Sequence, residues 1–386
     1  MFDAVTVKAP KPFSKAVGRR LGEDLVNRLG GTPNACWLFS APDGAVNGLL
    51  RGIHEAVATD SIVGCTTDGE VSSAGFGTDT AVLAGVVTDR IDFHVASVKG
   101  LGPNSQDAGR RIAEKLPRDV SYVQIFSDGL TGNGCAILRG IASVMGAEVP
   151  IAGGTAGDAG RFERTRQYHG NRVLSDAVVA VGFSGNFKVG TGVRSGWSPV
   201  GTVKIVTRAR ENVVYELNGE PALDVFTRFL GKHADKLPAV GVEYPLGIVG
   251  KAAGPDEEDY DLIRATMSVN REDGSLSFAG EIPEGAAVRL TCGDNDSILK
   301  GTEEAARLAL MDLGEIRPRM AFFYSCMARK IVLGRRTGEE MEVLHRTVGK
   351  GLPVIGFYTY GEYCRVRCGG PSLLHNETAT VSVIGV

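Results

Sequence analysis

The chain has 386 residues, 43% of them hydrophobic and 23% charged, which is the composition of an ordinary globular protein. Its formal net charge of −3 argues against nucleic acid or an anionic membrane as a partner, because both require a basic surface. No apolar run reaches the roughly 18 residues of a transmembrane helix. The first twenty residues lack the features of a secretory signal, so we expect a cytoplasmic protein whose cysteines are thiols.

Glycine is the residue type whose abundance is unusual. It accounts for 52 of the 386 residues, nearly twice the usual share of about 7%. The glycines follow no collagen-like period. We therefore expect many tight turns, or loops in which the backbone closely approaches a neighbour.

A strand-helix-strand-strand pattern begins near residue 35. The buried segment ACWLFS (35–40) ends in serine, a helix with an apolar stripe follows, and a second strand runs into CTTDGE (65–70). The long apolar segment 79–87 is predicted to be the last strand of this unit. The pattern recurs between residues 121 and 183, where the corresponding segments are SYVQIFS, VPIAGG, TAGD and DAVVAVGF.

The chain between this second copy and a third has a different pattern. A helix is predicted over 220–230 and another over 302–313, and the alternating segments between them predict an antiparallel sheet over 261–293. The third copy contains the segments RMAFFYS, LPVIG, FYTYGE and ETATVSVIGV, which lie within 319–386.

The spacing of the three copies supports a repeat. Six residues separate Gly64 from Glu70 and Gly356 from Glu362, and the middle copy, from Gly153 to Asp158, is one residue shorter. We therefore predict a mixed α/β fold of repeated β-α-β-β units, with largely antiparallel strands in the C-terminal half. The expected domains are 1–205, with two units, and 206–386, with the inserted sheet and the third unit.

The loops that follow the strands of each unit are the candidate site. Strands joined by a helical crossover have their carboxyl ends at the same edge of a sheet, where open α/β sheets bind ligands. The glycines of these loops are also consistent with simple turns. The candidate ligand-binding residues of the loops are Thr66, Asp68, Glu70, Ser127, Thr155, Asp158, Ser325, Arg329, Tyr358, Tyr360, Glu362 and Arg365.

Five segments in this order resemble the FIST family: GCTTDGE, IAGGTAGD, FYSCMAR, GFYTYGE and LHNETA. The resemblance extends from about residue 30 to residue 386 and includes the N-terminal and C-terminal halves of the family. It implies an intracellular sensory protein that binds a small ligand such as an amino acid. Since the chain shows no kinase or cyclase segment, we expect it to signal to a separate partner, a histidine kinase or a cyclase.

An amino-acid ligand requires both kinds of charge, and the loops contain both. The expected partners of its ammonium group are Asp68, Glu70, Asp158 and Glu362, and those of its carboxylate are Arg329 and Arg365. Neutral hydrogen bonds are expected from Thr66, Thr155 and Ser325. The segment YCRVRCGGP after Glu362 departs from the family pattern, so Arg365 belongs either to an anion-binding element or to a surface turn. No metal site is predicted at Cys364 and Cys368.

Two other functions are consistent with the sequence. One branch of the family resembles nitric-oxide sensors that carry heme, which requires an axial ligand such as His169 or His345. The chain has no CxxCH motif, so covalent attachment of heme is not expected. An enzyme would use Cys65 or Cys326, but neither has a histidine nearby in the sequence, and we predict no catalytic residue.

Overall fold

A computed structural model describes residues 1–251 and 259–386 of the chain. Within these residues the fold contains three similar units, and a separate sheet is inserted into the third. Each unit begins with a strand and a helix, continues with a parallel strand-helix-strand crossover, and ends with a hairpin and a final strand. None of the described helices is both long enough and apolar enough to span a lipid bilayer.

The first two units have the same order of elements. The first consists of β1 (Phe2–Pro10), α1 (Lys15–Leu29), β2 (Ala35–Ser40), α2 (Val46–Val57), β3 (Ile62–Thr66), β4 (Glu70–Ser72), β5 (Gly75–Gly77) and β6 (Thr80–Thr88). The second consists of β7 (Ile91–Lys99), α3 (Ser105–Ala113), β8 (Tyr122–Ser127), α4 (Gly134–Met145), β9 (Ile151–Thr155), β10 (Gln167–His169), β11 (Arg172–Leu174) and β12 (Ala177–Gly185).

The inserted sheet separates the first strand of the third unit, β13 (Lys188–Arg194), from the rest of that unit. The insertion consists of β14 (Ser198–Arg210), β15 (Val213–Leu217), β16 (Glu220–Pro221), α5 (Ala222–Leu230), β17 (Leu246–Lys251), β18 (Asp259–Arg264), β19 (Thr266–Asn270), β20 (Ser275–Phe278) and β21 (Ala287–Cys292). The third unit continues with α6 (Asn295–Leu313), β22 (Pro318–Cys326), α7 (Met327–Leu333), α8 (Thr337–Val348), β23 (Val354–Thr359), β24 (Glu362–Arg365), β25 (Ser372–His375) and β26 (Ala379–Gly385).

Glycines allow the paired helices of a unit to pack very closely. In the first unit, a Cβ atom on Gly18 would lie 2.0 Å from the main-chain oxygen of Leu49, and one on Gly52 would lie 2.1 Å from that of Lys15. Any larger side chain would push α1 and α2 apart. Close backbone approach is thus one reason for the high glycine content.

Each unit forms a mixed sheet around its parallel pair of strands. The strand orders are β1-β6-β2-β3, β7-β12-β8-β9 and β13-β26-β22-β23. The last two strands of each order are parallel, and the other pairs are antiparallel. The predicted mixed α/β class is confirmed, as is the antiparallel sheet of the C-terminal half. The units are longer than predicted, because the sequence pattern began only at their second strand.

The hairpins connect the three units into a ring. The hairpin β4–β5 of the first unit pairs with β23 of the third, β10–β11 of the second pairs with β3 of the first, and β24–β25 of the third pairs with β9 of the second. Each of these sheets therefore ends in a hairpin from another unit, so the strand ends of the three units are held together.

All three hairpins meet their host strands in one register. The opposed pairs are Val71 with Gly356, Tyr168 with Gly64, and Tyr363 with Gly153. The residues one position earlier are Glu70, Gln167 and Glu362. Gln167 is therefore the structural counterpart of the two glutamates. The sequence spacing had matched Asp158 to these glutamates, but Asp158 lies in the loop before β10. A Cβ atom on Gly64 would lie 1.8 Å from the Leu38 carbonyl oxygen, so the host position requires glycine.

The inner faces of the three sheets enclose an aromatic core. The ring centroid of Phe39 lies 5.3 Å from that of Phe126, 4.5 Å from that of Phe357 and 6.4 Å from that of Tyr324, so this residue contacts the other two units. The helices pack on the outer faces with apolar clusters of their own, and the inserted sheet has a separate core.

Candidate functional site

Main-chain hydrogen bonds join the loops that follow β3, β9 and β23. The Asp68 N–H donates to the Tyr358 oxygen at 2.9 Å, the Gly157 N–H to the Thr66 oxygen at 2.9 Å, and the Thr155 N–H to the Gly361 oxygen at 2.8 Å. The loops of three different units therefore converge at one end of the aromatic core. Their polar side chains form a cluster, whose partly exposed end we call the mouth and whose enclosed end we call the deep end.

The mouth consists of Asp68, Thr155, Lys330 and Tyr360. Asp68 has only 2% of its surface exposed, and neither carboxylate oxygen accepts a hydrogen bond of ordinary geometry. Burial raises the pKa of Asp68 to about 7, although the Lys330 ammonium and the Gly160 N–H act in the opposite direction. The Lys330 ammonium also donates to the main-chain oxygen of Asp68. The mouth thus places one carboxyl group beside one ammonium group.

Asp158 organises the loop 159–166 above the mouth. Its carboxylate accepts the N–H groups of Phe162 at 2.9 Å, Glu163 at 2.7 Å and Arg164 at 2.8 Å, and also the hydroxyl of Tyr360. Burial opposes ionisation of Asp158, but these hydrogen bonds outweigh it and lower the pKa. The Phe162 ring stacks on Tyr360, with 4.6 Å between centroids. Asp158 therefore holds the loop rather than facing a ligand with a free oxygen.

The deep end consists of Glu362, Asn376 and Glu377, which have 0%, 1% and 0% of their surface exposed. Glu362 Oε2 accepts the hydroxyl of Thr378 at 2.7 Å and its N–H at 3.2 Å, whereas Oε1 accepts no hydrogen bond of ordinary geometry and the Cys326 thiol lies beside the carboxylate. Both carboxylate oxygens of Glu377 and both amide atoms of Asn376 have no hydrogen-bond partner. Burial raises the pKa of Glu362 to about 8. Burial and the neighbouring Glu362 raise the pKa of Glu377 well above its usual range.

The two ends of the cluster belong to one continuous segment. Tyr360, at the mouth, and Glu362, at the deep end, are separated by Gly361 alone. The side chain of Asn376 lies against Gly361, because a Cβ atom on that glycine would be 3.4 Å from Asn376 Nδ2. Thr155 is bonded to the same glycine. The unpartnered polar groups of both ends thus surround residues 360–362.

Three of the predicted site residues are bonded to neighbouring strands and loops instead of facing the cluster. The carboxylate of Glu70 accepts hydrogen bonds from Thr67 and from the N–H and hydroxyl groups of Thr80. The Ser127 hydroxyl is bonded to that of Tyr363 at 2.8 Å, and the Thr66 hydroxyl accepts the Arg166 N–H at 2.9 Å. These side chains connect strand ends and exchanged hairpins.

Arg329, Ser325 and Tyr358 all serve a buried network centred on Glu340. Arg329 Nη2 lies 2.7 Å from Glu340 Oε1, and neither side chain has exposed surface. The other guanidinium N–H groups bind Thr302 Oγ1 and the main-chain oxygens of Ser195 and Ile298. The hydroxyls of Ser325 and Tyr358 donate to Glu340 Oε2. Because each of its three nitrogens has a protein acceptor and the side chain has no exposed surface, Arg329 is not available to a ligand carboxylate.

Arg365 lies apart from the cluster, against α6. Its Nη2 is 2.7 Å from Asp312 Oδ2, and its Nε donates to Thr191 Oγ1 at 2.9 Å. Arg365 stands three residues beyond Glu362 on β24, which corresponds to about 10 Å along a strand. The segment after Glu362 is therefore neither an anion-binding part of the cluster nor an exposed turn at Arg365, since that residue is buried in an ion pair.

The cysteines considered for catalysis are both buried thiols. Cys65 packs into the aromatic core, and burial raises its pKa well above the usual value. Cys326 ends β22 beside the deep end, where burial and the neighbouring Glu362 and Glu377 raise its pKa strongly. Neither thiol is activated toward the thiolate form that a nucleophile requires.

The two histidines considered as heme ligands have different surroundings. His169 Nδ1 lies 2.8 Å from the Ser97 hydroxyl and 2.8 Å from Arg172 Nη2, whereas both ring nitrogens of His345, half-buried on α8, are without hydrogen-bond partners. Clefts of about 610 and 630 Å³ beside the inserted sheet have no histidine in their walls. The part of the chain that the structure describes also contains no group of three His, Cys, Asp or Glu side chains arranged for a metal ion.

Sequence analysis missed four polar residues that the structure brings into or beside the cluster. They are Lys330, Glu340, Asn376 and Glu377. Asn376 and Glu377 belong to the segment LHNETA, which carries part of the family resemblance, so the motif was a usable signal. Lys330 directly follows the predicted Arg329 in the sequence. The orientation of α7 directs Lys330 toward Asp68 and Arg329 toward Glu340.

The FIST N domain matches residues 15–220 and the FIST C domain matches residues 222–365. The chain belongs to the FIST family. FIST domains are associated with small-ligand sensing in signal transduction. The two domain matches together include all three strand-end loops, and they extend over most of the cluster described above.

Several proteins are similar to this FIST chain along much of its length. The uncharacterized protein MJ1623 of Methanocaldococcus jannaschii is 26% identical over 340 residues, 82% of this chain and 64% of that protein, so this chain spans somewhat less than two thirds of it. The uncharacterized protein MT0656 of Mycobacterium tuberculosis is 25% identical over 367 residues, 92% of each chain. The uncharacterized protein Mb0898c of Mycobacterium bovis is 27% identical over 243 residues, 60% of each chain.

A solved structure, the cyanuric acid hydrolase from A. caulinodans, aligns with 100% of this chain and 99% of its own. The sequence identity is 12% and the TM-score is 0.35. A likeness at this level supports no argument about the activity of this chain.

Proposed function

We propose that this FIST protein is a cytoplasmic sensor that binds an amino acid, or a similar small polar metabolite, at the strand-end cluster. It passes the signal to a separate partner such as a histidine kinase or a cyclase, and its partners include neither nucleic acid nor a membrane. The observation that carries the proposal is the mouth, where an unpartnered, buried carboxyl group lies beside an ammonium group.

The mouth matches the two charged groups of an amino acid. The ligand's ammonium group donates to Asp68, neither of whose oxygens accepts a hydrogen bond of ordinary geometry. The ligand's carboxylate pairs with Lys330, which takes the role that the sequence had suggested for Arg329. Thr155, whose hydroxyl is also unpartnered, and Tyr360 supply neutral contacts. Gly157 leaves room for the carboxyl group, since a Cβ atom there would lie 2.2 Å from Asp68 Oδ2.

Binding is favoured over catalysis by the state of the thiols. A nucleophilic cysteine requires a lowered pKa, whereas burial and neighbouring carboxyl groups raise the pKa of Cys326. We therefore propose a non-enzymatic role. A heme cofactor is less well supported than a small polar ligand, because His169 is already bonded to Ser97 and Arg172.

A ligand screen on the full chain tests the proposed function. The purified protein is titrated with the common amino acids, and binding is detected as a rise in melting temperature and then measured by calorimetry. We expect at least one amino acid to bind, and Asp68→Asn to weaken its binding at least tenfold. Asp119→Asn, at an exposed aspartate, is the matched control and should leave the affinity unchanged. Binding that is equally strong in the Asp68→Asn protein would refute the assignment of the mouth.

A further inference from the structure

The strand-end cluster is elongated, and helix α7 runs along it. Cys326, the residue before the first turn of α7, adjoins the deep end, and Lys330 adjoins the mouth. The three helical steps from Met327 to Lys330 span about 4.5 Å, and the extended residue Cys326 adds about 3 Å before them. The mouth and the deep end are therefore two distinct subsites, separated by about the length of a chain of four or five carbon atoms.

The deep end carries acidic groups without a cation. Glu362 and Glu377 lie close enough to interact, and between them three carboxylate oxygens have no hydrogen-bond partner. Arg329 is the basic residue that influences both, but its N–H groups are bound to Glu340, Thr302 and main-chain oxygens. Among the described residues, no other basic side chain is placed to neutralise this pair.

Glu377 of the deep end differs from the equivalent residues of the other two units. In each unit a serine near the end of the central strand pairs with a residue of the final strand. Glu377 corresponds to Asp79 and Asp176, because each lies two residues before that paired residue. All three adopt a left-handed backbone, with φ of 58°, 58° and 47°. Asp79 pairs with Lys11 at 2.9 Å, and Asp176 accepts the N–H groups of Leu101 and Gly102. Among these three residues, only Glu377 is fully buried with both carboxylate oxygens lacking a hydrogen-bond partner.

Asn376 is an independent sign that the deep end receives a ligand. Its amide is 99% buried, and neither its oxygen nor its nitrogen has a hydrogen-bond partner. An unsatisfied buried amide is destabilising, so such a group is rarely retained without a use. The amide lies against Gly361, next to Glu362, and it supplies a neutral acceptor beside the two carboxyl groups.

We propose that the deep end binds a second amino group of the ligand, so that the ligand class is a basic amino acid such as lysine or ornithine, or a linear diamine. This inference rests on the proposed function for the group that occupies the mouth. An ammonium group has three N–H donors. Glu362 Oε1, a Glu377 oxygen and the Asn376 oxygen are the three unpartnered acceptors that receive them.

The test compares ligands that differ only in the second amino group. Calorimetry on the full chain measures the affinity for lysine, for norleucine, which has the same carbon chain without the amine, and for 1,5-diaminopentane. We expect lysine to bind at least tenfold more tightly than norleucine. Glu377→Gln should remove most of this ratio by weakening the binding of lysine, and Glu362→Gln should reduce it. Asp79→Asn, at the exposed counterpart, is the control.

The outcomes separate the two proposals. Equal affinities for lysine and norleucine would overturn the second subsite and leave the amino-acid sensor standing. A second outcome is that 1,5-diaminopentane binds, that Glu377→Gln abolishes this binding, and that no amino acid binds. This outcome would support the deep end as an amine site and would refute the proposal that the mouth binds an amino acid. No binding of lysine, norleucine or 1,5-diaminopentane would refute the second subsite, and a lysine-to-norleucine ratio that persists in a folded Glu377→Gln protein would refute the assignment to Glu377.

Discussion

Arg329 and Glu340 form an ion pair in which neither side chain has exposed surface, with 2.7 Å between Nη2 and Oε1. Glu340 also accepts hydrogen bonds from Ser325 at the end of β22 and from Tyr358 on β23. The pair therefore fixes both strand ends of the third unit. It positions α7, and with it Lys330, at the mouth of the cluster.

Breaking this pair should strongly destabilise the protein. Glu340→Gln leaves the Arg329 charge buried without a counter-ion, and we expect the free energy of unfolding to fall by about 3–5 kcal/mol. The adjacent Glu339 forms an exposed pair with Arg336, so Glu339→Gln should cost far less than Glu340→Gln. Urea denaturation of the two variants measures the difference, and equal losses would contradict the role assigned to the buried pair.

Alanine at Gly64 should be incompatible with the native sheet. Its Cβ atom would lie 1.8 Å from the Leu38 carbonyl oxygen, at the position where the hairpin of the second unit docks on β3. We expect a loss of about 3 kcal/mol or more, or failure to fold. Gly338→Ala is the control, because that residue lies in α8 with no atom within 4 Å, and alanine should stabilise the helix slightly. Melting temperatures that change equally in both variants would contradict this explanation.

The buried Glu362 should make the protein less stable as the pH rises. In the folded chain it keeps its proton up to a pKa of about 8, whereas the value for an unperturbed glutamate is 4.5. The folded state therefore binds more protons between these values. The contribution of Glu362 to the free energy of unfolding should be highest below pH 4.5 and should fall toward pH 8, by at most about 1.4 kcal/mol per pH unit for one proton.

Glu362→Gln tests this dependence, because glutamine cannot ionise. The variant should lose less stability than the natural protein between pH 5 and pH 8.5, as measured by urea denaturation at several pH values. Glu377 and Asp68, whose pKa values are also raised, contribute in the same direction and remain in the variant. Parallel stability curves for the two proteins would show that Glu362 is not the titrating group.

The loop 159–166 should loosen when its central carboxylate is removed. Asp158→Ala deletes the acceptor of three loop N–H groups and of the Tyr360 hydroxyl, and we expect faster cleavage by trypsin after the exposed Arg161 and Arg164. Asp119→Asn should be cleaved at the natural rate. Mass spectrometry of the fragments over time measures the effect, and unchanged cleavage at both arginines would mean that Asp158 does not hold the loop.

The local pattern of residues was sufficient to predict the strands that lead into the cluster. The segment 35–40 coincides with β2, and 121–127 differs from β8 by one residue, because a buried strand is recorded in consecutive apolar residues and ends at the first polar turn. The same local pattern placed Asp68 and Glu362 in strand-end loops. The structure finds Asp68 in such a loop and Glu362 at the start of β24, and both side chains are buried and incompletely partnered.

The amino-acid sequence by itself thus determined the mixed α/β class, the repeated crossovers and the loops that carry the polar residues. Only the tertiary structure decided which of these residues are available to a ligand. Gln167 replaced Asp158 as the counterpart of Glu70 because register depends on pairing between distant strands. Arg329 is unavailable to a ligand because it pairs with Glu340 on a different helix. Such pairing between elements leaves no periodic signal in the sequence, so it could not be predicted.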